Sequence, residues 1–94
     1  MSRYIALLRY TQKGAENIKS SPDRAHHFNQ LAEKVGVKIE GQFWTTGRYD
    51  GVLIIDAATD QKALHMLAEL AAAGNVRTET MRAFNHTEFA DILK

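Results

Sequence analysis

Cysteine is absent from the chain, and its absence removes disulfides, thiolate nucleophiles and cysteine-ligated zinc together. Proline occurs once, at Pro22, and no repeat, low-complexity tract or linker interrupts the sequence, so residues 1–94 read as one domain. Neither charge sign is in excess. Twelve Lys and Arg face eleven Asp and Glu, which leaves no global basic field of the kind that attracts nucleic acid or an anionic membrane. No apolar run is long enough to cross a bilayer, and Met1-Ser2-Arg3-Tyr4 leads straight into strand-like sequence without an apolar signal region. A soluble, cytoplasmic protein is the expectation. Phosphate-loop and dinucleotide fingerprints are missing too, since neither Gly-x-Gly-x-x-Gly nor Gly-Lys-Ser/Thr occurs, and no cofactor is implied.

What is present is strong periodicity. Arg3 to Tyr10 is aromatic and aliphatic on both alternate sets, Ile5/Leu7 and Tyr4/Ala6/Leu8/Tyr10, the signature of a strand covered on both faces. Thr11 to Ser20 is polar apart from Ile18 and reads as a loop with room for a short helical turn. Ser21-Pro22-Asp23 then predicts a helix start, with the Ser21 hydroxyl as N-cap. Ala25, Phe28, Leu31, Ala32 and Val35 form its apolar stripe and Gly36 its exit.

Val37 to Thr46 alternates Val37/Ile39/Gly41/Phe43 against a wetter set, Lys38/Glu40/Gln42/Trp44, which predicts an edge strand. A hairpin should follow. Gly47 suits the positive φ of a primed turn, and Asp50-Gly51 offers a second possible reversal, so the register stays open. Gly51 to Ala57 holds the unbroken apolar run Val52-Leu53-Ile54-Ile55 and reads as a central strand. Thr59 or Asp60 can cap a second helix with the stripe Ala63/Leu64, Leu67, Leu70/Ala71, stopped at Gly74-Asn75. Val76 to Phe84 is a polar edge strand, and His86 to Leu93 a short C-terminal helix with Phe89, Ile92 and Leu93 as its apolar contacts.

The order is β-α-β-β-α-β. Right-handed crossovers make the compact solution an α+β, ferredoxin-like sandwich: a four-stranded antiparallel sheet of order 4-1-3-2 with both helices on one face. Strands one and three must then be the inner pair, and they are the two that lack a polar face. Two helices roof only one side of such a sheet, so the apolar residues on the other side need separate cover. A second copy of the chain is the simplest cover, giving a homodimer or higher oligomer through the open face, at about 800 Å² per partner for a standard interface. The alternative is that the C-terminal helix folds back over its own sheet.

Several spaced motifs point the same way. Tyr4 with Leu7, Thr11-x-x-Gly14, Ser21-Pro22-x-Arg24, Gly36-Val37, Trp44-Thr45-Thr46-Gly47-Arg48-Tyr49-Asp50 and Gly74-Asn75-Val76-Arg77-Thr78-Glu79-Thr80 together resemble the GYD domain family over nearly the whole chain. One stretch departs: Asp56-Ala57-Ala58-Thr59-Asp60 stands where the family more often resembles Glu-Ala-Pro-Asp-Asp. The resemblance implies a dimeric α/β-barrel type of fold and oligomerisation. It implies no settled activity.

The residues that could carry chemistry are few. Tyr49 and Asp50 put a phenol beside a carboxylate, which could bind a ligand or move a proton; alternatively Asp50 accepts backbone N–H bonds and Tyr49 packs. Arg77 and Glu79 share one face of the last strand, and Arg9 on the neighbouring central strand can reach that row or its opposite. Such charges on a sheet are an interface ion pair or the polar wall of a pocket. His26 and His27 point about 100° apart on a helix, which suits a surface role for His26 and packing for His27 better than one metal. His65 and His86 are isolated, and no metal site is expected. RNA binding is disfavoured because Val52 to Ile55 offers no aromatic for base stacking.

The reading that follows is a small-molecule-binding oligomer with Trp44, Tyr49, Asp50, Arg77, Glu79 and Arg9 around a cavity near the subunit interface. A cofactor-independent isomerase or monooxygenase of the dimeric barrel type and a structural or regulatory assembly module are the alternatives.

Overall fold

The computed structural model describes residues 2–94. Four strands, β1 (Ser2–Tyr10), β2 (Val37–Trp44), β3 (Gly51–Ala57) and β4 (Val76–Ala83), form one antiparallel sheet in the order β2-β3-β1-β4. Taken from the other edge this is 4-1-3-2, with the two inner strands the two that sequence marks as apolar front and back. Helices α2 (Ser21–Lys34) and α3 (Asp60–Ala73) pack on one face. Their Phe28, Ala32, Ala63, Met66 and Leu67 meet Ala6, Val37, Leu53, Ile55 and Ala57 in a single buried core. The arrangement is consistent with a ferredoxin-like fold.

Details of the helices differ from expectation. The stretch after β1, read as a loop with room for a short helical turn, holds a short helix, α1 (Gln12–Glu16), and a 3-10 turn (Ile18–Ser20). Thr11 caps α1, its hydroxyl accepting from the Gly14 N–H at 3.2 Å. Because the 3-10 turn runs directly into α2, the helix starts one residue early: Ser20 is the N-cap and makes no side-chain cap bond. Ser21 is a buried first-turn residue whose hydroxyl is used elsewhere. His27, expected to pack, is exposed. In α3 the buried stripe is Ala63, Met66, Leu67 and half-buried Leu70, the i, i+3, i+4, i+7 set; Leu64 falls about 100° off that line and is 55% exposed.

The largest difference lies in β2. Ile39 pairs with Ile55 and Gly41 with Ile54, so Glu40 is an extra residue that bulges the strand. One inserted residue reverses the alternation beyond it. Val37 and Ile39 face the helices, and past the bulge it is Gln42 and Trp44 that do so, bonding Asn29 and Ser21 of α2. Phe43 is turned to the opposite face and is 59% exposed. The hairpin beyond is closed by the Thr45 N–H to the Asp50 carbonyl at 2.9 Å, so it is longer than a two-residue turn. Gly47 has φ 98° as its sequence context predicts, whereas Gly51 is ordinary strand.

The described residues leave the second sheet face open. Ile5, Leu7, Val52 and Ile54 are half-buried there, flanked by exposed Phe43 and by Met81, which is 46% exposed. Helix α4 (His86–Ile92) does not roof it: Phe89, Ile92 and Leu93 are themselves 52, 56 and 71% exposed. The helix is formed by a capping box between Asn85 and Glu88 and is tethered by the Arg3 guanidinium, which bonds Glu88 at 3.1 Å and lies 3.4 Å from Glu40.

Candidate functional site

Most of the sequence motifs converge at one end of the fold, around the C-terminus of β1, while Tyr4 and Gly36-Val37 lie toward the opposite end. Thr11 ties this end together: its N–H donates to the Asn75 carbonyl at 3.1 Å and its hydroxyl to the Gly74 carbonyl at 2.6 Å. Gly14 packs directly on the Asn75 backbone, where a side chain has no space. Lys13 reaches the Ala73 carbonyl at the end of α3, a cation at the negative end of the helix dipole. Arg24 binds the carbonyls of Asn17 and, at 3.5 Å, Gly14. The Ser21 hydroxyl sits between the Tyr10 phenol (2.8 Å) and the Trp44 indole N–H (3.0 Å). Asp50 accepts the Tyr10 N–H on its carboxylate at 2.8 Å while its own N–H donates to the Leu8 carbonyl at 2.8 Å. The hairpin is thereby stitched to β1.

The six residues singled out from sequence divide between two faces. Arg9, Tyr49, Arg77 and Glu79 come together on the open face, where Arg9 lies directly opposite Arg77 and Leu7 opposite Glu79. The Tyr49 phenol donates to the Glu79 carboxylate at 2.6 Å, and the Arg9 guanidinium lies 5.1 Å from the Tyr49 ring centroid. Arg48, which sequence reasoning passed over, is 5.9 Å from the same centroid. The only available signal was its place beside Tyr49 in the motif. Trp44 is on the other side, and Asp50 lies between, committed to the backbone of β1. The Tyr49 phenol, protonated at neutral pH like any tyrosine, acts as the donor, and hydrogen bonding to Glu79 first and desolvation second raise its pKa above the ordinary 10.0. Among the described residues no three His, Asp or Glu side chains converge as a metal site would require.

The helix face carries a cleft of about 750 Å³ where α2 and α3 splay apart over the sheet. Leu8, Phe28, Leu31, Leu53, Leu70 and Val76 contribute apolar walls, and Trp44, Tyr10, Arg24 and His27 border it. Its size is that of a small-molecule site, although it lies on the face opposite to the one where the sequence reading puts a cavity.

Among the described residues, a sheet with helices on one face, an uncovered apolar face on the other and a polar cluster at the hairpin end defines a small α+β protein. Residues 4–93 match the GYD domain family, and the chain belongs to it. It is similar to the glutamine synthetase and cystathionine beta-lyase binding protein of Thermus thermophilus, with 32% identity over 84 residues, 88% of either chain. No solved structure matches the chain.

Proposed function

We propose that this protein is a non-catalytic, cytoplasmic binding protein that self-associates through the open sheet face and docks onto other proteins. The observation that carries this reading is the sheet face itself, on which Ile5, Leu7, Val52, Ile54, Phe43 and Met81 form one apolar surface that the described residues leave uncovered. At roughly 25 cal/mol per Å² of apolar area removed from water, covering it would add several kcal/mol to a domain whose own core is small. Supporting it, the polar groups nearby are arranged to hold the fold: Asp50 serves the β1 backbone and Tyr49 is bonded to Glu79. The relative named for binding two enzymes supports proteins as the external partners, with glutamine synthetase and cystathionine β-lyase the first to try.

The cleft between α2 and α3 supports a second reading, in which a small apolar ligand is bound on the helix side.

Light scattering on the eluting protein, followed down to low micromolar concentration, tests self-association. A dimer or larger species is expected for the wild type and a folded monomer for Ile54→Glu. Calorimetric titration against purified glutamine synthetase and cystathionine β-lyase from the same source tests the partners. A wild-type protein that is monomeric throughout and silent against both enzymes refutes the proposal.

A further inference from the structure

The chain has six arginines, and they divide sharply by what they do. Arg3 bonds Glu88 and pairs with Glu40, Arg24 holds the carbonyls of Asn17 and Gly14, and Arg82 donates to the carbonyls of Arg3 and Ala83. These three hold the fold together. The side chains of Arg9, Arg48 and Arg77 play no such part, because among the described residues none of their guanidinium groups meets a carboxylate within ion-pair distance or donates a hydrogen bond to protein. All three are exposed, and all three belong to the same end of the open sheet face.

Their arrangement runs against what folding favours. Arg9 and Arg77 are directly opposed across β1 and β4, on the same face, with Cα atoms roughly 5 Å apart by antiparallel geometry. Like charges so placed destabilise a sheet. Arg48 is held in the same neighbourhood because it and Arg9 share the Tyr49 ring, whose phenol is in turn fixed by Glu79. Glu79 is engaged by that phenol and the neighbouring Asp50 carboxylate by the Tyr10 N–H, so the three guanidiniums outnumber the acids near them and the cluster keeps a net positive charge with many free N–H donors in planar forks.

We infer that Arg9, Arg48 and Arg77 form a binding site for a small, multiply charged oxyanion, such as a phosphate compound or a di- or tricarboxylate. A guanidinium pair presents parallel N–H donors that match two oxygens of such a group, and a dianion brought between Arg9 and Arg77 converts their repulsion into two attractions. The near-neutral chain lacks the extended basic surface that a nucleic acid requires, and the cluster is bordered by Leu7 and Val52, so a compact anion fits it better than a polyanion. The site is separate from the α2/α3 cleft; it lies at the rim of the face proposed above for self-association, so the titration below is run on the Ile54→Glu variant as well as on the wild type.

Titration calorimetry at constant ionic strength, with pyrophosphate and with citrate, tests it, using chloride-matched buffer as the blank. Saturable binding of at least one of the two by the wild type is expected, with affinity at least tenfold weaker in Arg9→Gln and in Arg77→Gln and unchanged in the distant Lys62→Gln. Pyrophosphate preference assigns the site to phosphate compounds and citrate preference to carboxylates. A thermal melt supplies an independent readout: without anion, Arg77→Gln should melt no lower than wild type, and only the wild type should gain stability from the anion. Should a glutamine variant on the sheet fail to fold, Arg48→Gln, in the exposed hairpin, replaces it. Absence of binding beyond the blank for both anions, or equal binding by wild type and variants, overturns the site, and this can occur whether the protein is a monomer or an oligomer.

Discussion

Gly14→Ala isolates the contact on which the motif-bearing end of the fold depends. The added methyl carbon would lie inside the van der Waals envelope of the Asn75 carbonyl, 2.9 Å from its carbon and 3.1 Å from the Tyr10 ring. Backbone, not a flexible side-chain tip, is what it meets, so α1 must move away from the α3–β4 connection. That movement strains the Thr11 bonds to the Asn75 and Gly74 carbonyls. Overpacking of this kind costs about 1–3 kcal/mol, and a weakened hydrogen bond about 1 kcal/mol more. Alanine's better helix propensity inside α1 returns at most about 1 kcal/mol. The balance is destabilising by roughly 2 kcal/mol, which for a domain of this size lowers the melting temperature by about 8–16 °C. Differential scanning calorimetry on wild type, Gly14→Ala and Gly47→Ala separates steric from conformational effects. Gly47 has φ 98° but nothing within 4 Å of an added Cβ, so its variant reports backbone strain alone. If Gly14→Ala melts at or above the wild-type temperature, the helix-propensity gain has won and the close approach to Asn75 is not structural.

Two further outcomes follow from the geometry. Asp50→Ala leaves the partly buried Tyr10 N–H without its carboxylate and should cost about 1–3 kcal/mol by urea unfolding, whereas Asp50→Asn, which keeps an acceptor oxygen, should cost less; equal losses would point to charge rather than the hydrogen bond. In acid, Glu88, held low first by the Asn85 backbone N–H and then by Arg3, and Asp60, held low by hydrogen bonds from Ser2 and Tyr4, are both depressed below their ordinary values of 4.5 and 3.8. A lowered folded pKa means the unfolded chain takes up the proton first, so stability is full above about pH 4.5 and falls as pH drops through the folded values. Tyr4 and Tyr49, raised above 10.0 chiefly by bonds to Asp60 and Glu79, give the mirror image, a loss as pH rises past 10. Melting temperatures measured from pH 2 to 11 should show both limbs, and loss of the acid limb in Glu88→Gln would be less than complete because Asp60 persists.

The topology is legible in the sequence because it rests on patterns that tertiary context does not disturb. Strands β1 and β3 carry apolar residues on both alternate sets, and only the inner positions of a four-stranded sheet tolerate that; the observed order β2-β3-β1-β4 places them there. Helix stripes are legible to within one residue. Met66 takes the buried place expected of Leu64, and Ala71 is exposed, because Leu64 and Ala71 each lie one residue, about 100°, off the line through Ala63, Met66, Leu67 and Leu70.

The site is legible only in part, and the reason is local. A bulge at Glu40 leaves no mark in the alternation of polar and apolar residues, since Gln42 and Trp44 keep the outward look of a wet face while bonding to α2. A single extra residue therefore separates Trp44 from the cluster around Tyr49. Gly41 is its one trace, a position where a Cβ would meet Phe43 at 3.1 Å and Ile54 at 3.2 Å. Ser21 misleads in the same manner: beside Pro22 it has the chemistry of a helix cap, but Tyr10 and Trp44 compete for its hydroxyl. The motif residues are thus explained mostly by what they bond to within the fold. Arg9, Arg48 and Arg77 are left over from that account, which is why an anion is sought there.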